Sequence, residues 1–517
     1  MKNEIEKNIR FLDKRIVIYL VIIASIGISI RFYYFPENLP VVLDALTYFN
    51  YAYDLSVTGI FPINYNFPNN GWPLFLSLFF SIFQSSILLD LMNIQKILTV
   101  IISILTILPV YLLCNRFFKK EYAVTGAALF VLDPRIIQNS LQGTTEPLFI
   151  FLGATALFLF LNKNTKLVYT AFGILALFSI IRYEGLLLII PCSIMLILRL
   201  RDEKQTIIKY FIALSIFIIL LIPFVYLRME TIGQDGLVSH VTAGAIATDY
   251  FVNDKNEGVG FNFFTNGAIN ITKYIGWVLI PNFIIFIPLG IYHIFKNRDY
   301  KKNTIILVAF VMLIPAFYAY ARDIQDTRYL YIILPLFSVI SLYTIEQFKN
   351  KISGKDITIL ITVIILTSII FLEIKQIDYE HEIEAYQISK KIVDMTYVIN
   401  DFYPETAYVR VSGLEKEFPI VINGETFGPK LLPVEGFSTV REFIEANTYL
   451  KIDHIVIDDK KNRPQFLKDV FNNEEQYTFL IKKFDSSEYG YNYHVKIFEI
   501  DFDKFKINSE KGVIPHN

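Results

Sequence analysis

Asp44 is the acid with the clearest chemical setting in this sequence. It opens the run Asp44-Ala45-Leu46-Thr47-Tyr48 inside residues 35–71, a stretch with no Lys or Arg. A lone carboxylate there serves as a general base toward a hydroxyl or amine, or as a ligand for a hard cation. Tyr48 and Tyr51 follow at i+4 and i+7, on the same helical face, before Gly59 ends the turn. Capping of that helix accounts for Asp44 equally well. Glu146, in Thr144-Thr145-Glu146-Pro147, and Asp133, before Pro134, have the same two readings, since acids favour helix N-termini. Arg182 and Glu184 come from Ile181-Arg182-Tyr183-Glu184-Gly185, and Arg328 comes from Asp326-Thr327-Arg328-Tyr329-Leu330. Arg182 can pair with Glu184 or snorkel, and a guanidinium can also fork onto a phosphate.

The elements that must position these groups are membrane spans. The chain has 517 residues, 54% of them hydrophobic, with 46 Phe and 32 Tyr, more apolar surface than a soluble core needs. A helix crosses the ~30 Å hydrocarbon core with roughly 20 apolar residues. That length divides the sequence into spans near 16–34, 93–114, 121–138, 145–161, 167–181, 185–199, 207–227, 270–294, 303–320, 328–345 and 356–374. Trp72 to Phe83 is too short to cross and begins at a Gly-Trp-Pro break, which predicts an interfacial helix. The first run has no small-residue cleavage site and is read as a retained span.

Basic clusters at Arg116/Lys119/Lys120, Lys163/Lys166, Arg199/Arg201/Lys204, Lys296/Arg298/Lys301/Lys302 and Lys349/Lys351/Lys355 fall on alternate connections. The positive-inside rule puts them and the N-terminus in the cytoplasm. Asp44, Glu146, Arg182, Glu184 and Arg328 then lie at the outer ends of spans or in outer connections. Two arginines at one depth, where lipid headgroups lie, favour a lipid phosphate as their ligand.

Beyond Leu372 apolar runs shorten to strand length and charges interleave, which marks a soluble domain outside the membrane. The expected organisation is an all-α polytopic domain of about eleven spans over residues 1–375, then a small extracytoplasmic α/β domain over 376–517. Within it, helices are predicted at Glu382–Asn400 and Thr439–Leu450, and strands at Ala407–Val411 and His454–Ile457. A net charge of -1 offers nothing to nucleic acid, and two cysteines inside apolar runs make neither a disulfide framework nor a metal site.

Over about residues 16 to 345 the order of motifs resembles the GT-C superfamily of glycosyltransferases, which includes protein O-mannosyltransferases and lipid A aminoarabinose transferases. The motifs are Asp44 with Tyr48, Ala52 and Gly59, Gly71-Trp72-Pro73-Leu74, Thr145-Glu146-Pro147, Arg182-Tyr183-Glu184-Gly185, and Arg328-Tyr329-Leu330 ahead of Pro335. Ala45 stands where the family often has a second acid, and only Trp72 and Trp277 are present, so a Trp-Trp-Asp signature is absent. The resemblance implies transfer of a hexosyl or pentosyl group from a polyprenyl (dolichyl) phosphate to an extracytoplasmic glycan, lipid or protein. It further implies Asp44 and Glu146 as catalytic acids, which could also share a Mg or Mn ion. Arg182 and Arg328 become the phosphate ligands, and Tyr48 and Glu184 become contacts to sugar or acceptor. A flippase for a lipid-linked saccharide is the competing class, although charges within spans, which transport would favour, are few.

The orientation is testable by itself. Protease added to intact cells is expected to remove the region beyond about residue 376, and protection until the membrane is opened would reverse the assignment.

Overall fold

The computed structural model describes residues 13–41, 44–63, 65, 68–85, 88–201, 205–253, 259–296, 298–348 and 353–375. Toward the C-terminus it describes 379, 383, 384, 387, 398–400, 420–422, 425–427, 430, 431, 434, 436–448, 452, 454–459, 463–492 and 494–511. Contacts divide the chain into two compact units. Residues 1–35, 63–76 and 95–376 form the first, and 36–62, 77–94 and 377–517 the second.

Helices dominate the chain through residue 374: α1 (Lys14–Tyr33), α2 (Asp44–Thr58), α3 (Gly71–Ile82), α4 (Leu88–Leu105), α5 (Ile107–Cys114), α6 (Lys120–Val131), α7 (Pro134–Ser140), α8 (Glu146–Phe160) and α9 (Thr165–Ile181). After a 3₁₀ turn at Tyr183–Leu188 come α10 (Ile189–Leu200), α11 (Thr206–Ile232), α12 (Val238–Asn253), α13 (Val259–Leu279), α14 (Ile287–Lys296) and α15 (Tyr300–Ala321). A second 3₁₀ turn, Thr327–Ile333, leads into α16 (Leu334–Phe348), and α17 (Gly354–Ile374) follows. Among the described residues seven helical segments are long and apolar enough to cross a membrane, with α3, α8 and α9 as shorter apolar helices. The chain is therefore an integral membrane protein. Each expected span coincides with a helix or a helix pair, and the one expected at 270–294 is broken between Leu279 and Ile287. Asn282, buried in that break, spends its amide on Ser368 Oγ at 3.0 Å.

Helix α6 is the hub of the first unit. Every residue from Tyr122 to Val131 is buried, and the helix packs against α1, α5, α16 and α17. Small side chains permit that approach, because lipid supplies no hydrophobic force between helices and association depends on close packing. At Gly126 an added Cβ would lie 2.7 Å from Cys114 Sγ.

Polar cross-links brace the same unit. Arg31 is fully buried and bonds Ser140 Oγ (3.0 Å), Ser103 Oγ (2.9 Å) and the carbonyls of Gly27 (3.0 Å) and Val131 (3.1 Å). Those bonds join α1, α4, α6 and α7, so this charge inside a span is structural. On the basic side, Arg199 donates to the carbonyl of Lys163 at 2.9 Å and Lys301 to that of Arg116 at 2.7 Å. Some of the expected cytoplasmic cations thus close helix C-termini.

The Gly71-Trp72-Pro73 break has a packing reason. At Gly71 a Cβ would sit 2.6 Å from the carbonyl oxygen of Ile180, so only glycine admits the contact. Trp72 is fully buried, and its indole donates to the Gly143 carbonyl at 3.1 Å. Gln95 donates to the same oxygen at 2.7 Å. Gly143 has φ +74°, the left-handed conformation that suits glycine.

In the second unit, Phe49 of α2 packs on Phe80 at 5.4 Å between ring centroids. The C-terminal region builds a five-stranded sheet from β1 (Val398–Asn400), β4 (Lys430–Leu431), β5 (His454–Asp458), β6 (Leu480–Asp485) and β7 (Val495–Ile500), in the order β4-β1-β5-β7-β6. Strand β1 is parallel to β4 and β5, and β7 is antiparallel to β5 and β6, while β2 (Ile420–Ile422) and β3 (Glu425–Phe427) form a separate hairpin. Phe443, Ile444, Ile455, Phe466, Val470 and Phe498 belong to its core. The helix expected at Thr439–Leu450 is α18 (Val440–Asn447), capped reciprocally by Thr439 and Glu442, and the strand at His454 is β5. The helix expected to reach Asn400 does not: Val398–Asn400 is a strand, because its register alongside His454–Val456 gives an apolar β-branched segment a sheet partner. The strand expected at Ala407–Val411 lies outside the described residues.

If Trp72 and Gly143 tie α3 to the turn ahead of α8, Trp72→Phe loses one hydrogen bond and should cost about 1 kcal/mol. Trp72→Ala should cost about 3–5 kcal/mol. Thermal unfolding in detergent compares the two, and equal losses would show that the hydrogen bond, not the ring, carries the tie.

Candidate active site

Two of the long spans begin as 3₁₀ turns, and an arginine stands at each. A 3₁₀ turn is tighter than an α-turn and is commonly used at helix ends. Arg182 is the extended residue between α9 and the turn Tyr183–Leu188, with φ −144° and ψ 128°. Gly185 makes that reversal feasible: a Cβ there would lie 2.9 Å from both the Phe178 carbonyl oxygen and Ser179 Cα. Arg328 lies in the first turn of Thr327–Ile333. Asp326 caps the turn by accepting the Arg328 amide at 2.8 Å, and its other oxygen takes Arg328 Nε at 2.7 Å.

Arg182 is held from two sides. Its Nη1 meets Glu146 Oε1 at 2.5 Å and Thr145 Oγ1 at 3.3 Å, and its Nη2 meets Glu184 Oε1 at 2.9 Å. The guanidinium also lies 5.8 Å from the centre of the Phe149 ring, which stacks on Phe178 at 3.9 Å. Glu146 is the first residue of α8, yet its carboxylate meets Arg182 across the bundle. Its second oxygen, Oε2, is buried and has no hydrogen-bond partner among the described residues. Asp133 behaves otherwise and is a cap, accepting the Arg135 and Ile136 amides at 2.9 and 3.4 Å.

One cavity gathers Glu146, Arg182, Glu184 and Arg328, with Tyr329 beside them and Phe149, Ile150, Met312, Pro315 and Ile332 as its apolar wall. Two guanidiniums thus adjoin a hydrocarbon surface. Asp44 and Tyr48 belong to the second unit, in α2, where Asp44 is exposed at the first helical position and Tyr48 is buried. Asp54, in the same helix, is fully buried. Next to the cavity residues, His240 of α12 packs on Tyr183 at 5.4 Å between centroids, with the rings tilted by 40°. Burial and the charge of Arg228 hold its imidazole below the usual range, against the opposing pull of Asp235 and Glu184.

Several contributors have no motif in the sequence. Phe149, Met312 and Pro315 reach the site only through packing. Gln95 and Lys96, both buried polar residues within an apolar span, are a legible signal that the middle of α4 faces something polar.

Glu146 does not fit a divalent cation. One oxygen is on a guanidinium and a second guanidinium lines the same cavity, so a dication would meet two like charges. Among the described residues no three His, Cys, Asp or Glu side chains come together as a metal site.

No protein-family model and no curated protein matches this sequence. Solved structures do match its fold. The oligosaccharyltransferase of Archaeoglobus fulgidus, in a complex with Zn and sulfate, aligns over 85% of this chain and 68% of its own, with 15% identity and a TM-score of 0.56. The same archaeal enzyme, AglB, in complex with an inhibitory peptide and a dolichol-phosphate, aligns over 87% and 70% at 14% identity, with a TM-score of 0.54. ArnT of Cupriavidus metallidurans, bound to undecaprenyl phosphate, aligns over 93% and 98% at 8% identity, with a TM-score of 0.59. The GT-C fold expected from the motif order is therefore the fold of this chain.

Gly185→Ala should force the Arg182 turn off the end of α9, at a cost of about 1–3 kcal/mol for the overpacked contact. Melting temperature checks this, and an unchanged value would mean that the turn yields without strain.

Proposed function

We propose that this chain, built on the fold of GT-C membrane glycosyltransferases, moves a sugar from a polyprenyl-phosphate donor to an acceptor at the outer membrane surface. The observation that carries the reading is the single cavity in which Arg182 and Arg328 adjoin an apolar wall. A lipid phosphate asks for that combination: bidentate cations for the headgroup and hydrocarbon for the first part of the tail. On this reading the N-terminus is cytoplasmic, the C-terminal α/β region is extracytoplasmic and serves acceptor recognition, and the acceptor is a glycan, lipid or protein of the cell envelope.

In the reaction the acceptor oxygen or nitrogen attacks the anomeric carbon while the bond from that carbon to the phosphate oxygen breaks. Asp44 takes the acceptor's proton. Polyprenyl phosphate leaves with the electron pair, and the charge that grows on it is offset by Arg182 and Arg328, donors already oriented by Glu146, Glu184 and Asp326. Glu146 is assigned to the donor side for this reason. Asp44 acts as base by itself, and the Mg or Mn ion implied by the resemblance has no part in these steps. Tyr48 and Glu184 keep secondary roles, Tyr48 as support for α2 and Glu184 as the second carboxylate on Arg182.

The test is donor binding and donor consumption by purified protein supplied with dolichyl-phosphoryl sugars and an acceptor extract. Arg182→Ala and Arg328→Ala should each weaken donor binding, with Lys restoring only part because it lacks the planar fork. Asp44→Asn should keep the fold and lower turnover by ~10²–10⁴. Exposed Glu37→Gln is the control, since Asp54 is too buried to change safely. Unchanged donor affinity in both alanine variants removes the phosphate role, and near wild-type turnover in Asp44→Asn returns that residue to capping.

A further inference from the structure

Helix α15 ends at Ala321, and the chain turns from there into the 3₁₀ turn that carries Arg328. The reversal is a Schellman motif. Ile324 donates to the Ala319 carbonyl at 3.0 Å and Asp323 to the Tyr320 carbonyl at 3.1 Å, with Asp323 at φ +60°, the left-handed conformation such a helix end uses. Tyr320, the penultimate residue of α15, then reaches across the loop it has just entered. Its phenol donates to the Asp326 carbonyl at 2.9 Å. The side chain is fully buried, its ring stacks on Tyr274 of α13 at 4.7 Å between centroids, and it meets the Tyr329 ring edge-on at 6.4 Å. Asn270, one turn earlier in α13, donates to the Tyr320 carbonyl at 3.1 Å. Asp326 passes the constraint on: its carboxylate takes the Arg328 amide at 2.8 Å, Nε at 2.7 Å and Nη2 at 2.7 Å. Arg328 and Tyr329 both line the cavity.

We propose that Tyr320 is a positioning residue for the lipid phosphate, which fixes the Asp326–Arg328 pair through the Asp326 carbonyl so that the guanidinium faces the cavity. This role rests on the lipid-phosphate reading of the cavity and goes beyond it by naming what aims one of its two cations. Arg328 needs that help more than Arg182 does. Its side chain is 25% exposed and that of Asp326 28%, against 14% for Arg182 between its two carboxylates. A half-open pair of that kind does little to hold its own geometry. Its orientation comes from the backbone that bears it, and the Tyr320 hydroxyl holds that backbone. Without the O–H, Asp326 loses a donor, the pair samples more orientations, and a phosphate must restore the order as it binds, which lowers affinity.

The test is a double-mutant cycle on full-length protein in detergent, with calorimetric affinity for dolichyl phosphate measured for wild type, Tyr320→Phe, Arg328→Ala, the double variant and Tyr274→Phe. Tyr320→Phe keeps the stacked ring and removes only the O–H. Its affinity should fall roughly three- to tenfold, the range of one hydrogen bond. In the Arg328→Ala background the same substitution should change affinity by less than about twofold, because it acts through a side chain that is no longer there. A hydroxyl that merely supported the fold would weaken binding by the same factor in both backgrounds. Tyr274→Phe, which alters the neighbouring phenol of the same stack, should bind as wild type does.

Equal losses in the two backgrounds, or a Tyr320→Phe protein that does not fold, would each overturn the positioning role. The same holds if Tyr274→Phe loses as much as Tyr320→Phe, since the stack and not the hydroxyl would then carry the effect. If wild type does not bind dolichyl phosphate, or Arg328→Ala binds it as tightly as wild type, the cavity reading fails and the role of Tyr320 with it. If Arg328→Ala is weakened while Tyr320→Phe is not, only the role of Tyr320 is lost.

Discussion

A guanidinium gripped by two carboxylates organises the first unit's polar surface. Arg182 meets Glu146 and Glu184 with only 14% of its own side chain exposed, at a place where unpaired charge would be costly. Removing one partner of such a group leaves the others desolvated, which is why buried pairs are sensitive to truncation even where their net contribution is small. The consequences spread outward. Glu146 must stand at the head of α8, Gly185 must have no side chain, and the turn ahead of α8 must be pinned, which Trp72 and Gln95 accomplish through one carbonyl oxygen.

The charges of the cavity nearly balance among themselves, and that bears on how an anion enters. Arg182 and Arg328 are both engaged, by Glu146 and Glu184 in one case and by Asp326 in the other. On the proposed reading, an incoming phosphate exchanges partners with these carboxylates and does not fill a bare positive hole. Such a site is oriented before the ligand arrives, so little reorganisation accompanies the charge that develops on a leaving phosphate. The apolar wall of Phe149, Ile150, Met312, Pro315 and Ile332 excludes water from one side and strengthens every interaction inside.

Charge elsewhere in the bundle has a different purpose. Arg31 satisfies four acceptors, one on its own helix and three on neighbouring helices, and basic residues elsewhere close helix ends. Polar groups that are fully engaged with protein, as Arg31 is, hold the bundle together.

Hydropathy determined most of the membrane architecture from sequence alone, because crossing a bilayer is a property of one segment: length and apolar content suffice, with no reference to neighbours. Local chemistry was equally legible in the helix expected from Thr439, in the break at Gly71, and in the arginines at the starts of two spans. Two residue types defeated that reading. An acid at a helix N-terminus caps its own helix or reaches across the bundle, and the sequence around Asp133 and Glu146 looks alike, yet Asp133 caps and Glu146 pairs with Arg182. Val398–Asn400 continues a helical pattern but takes a strand conformation because β4 and β5 lie on either side. Tertiary structure alone decided that Arg182 and Arg328 face one cavity and that Glu146 reaches Arg182. Both depend on which helices pack together and how closely, and that follows from small residues such as Gly126 and from hydrogen bonds between distant segments, neither of which has a signature in local periodicity.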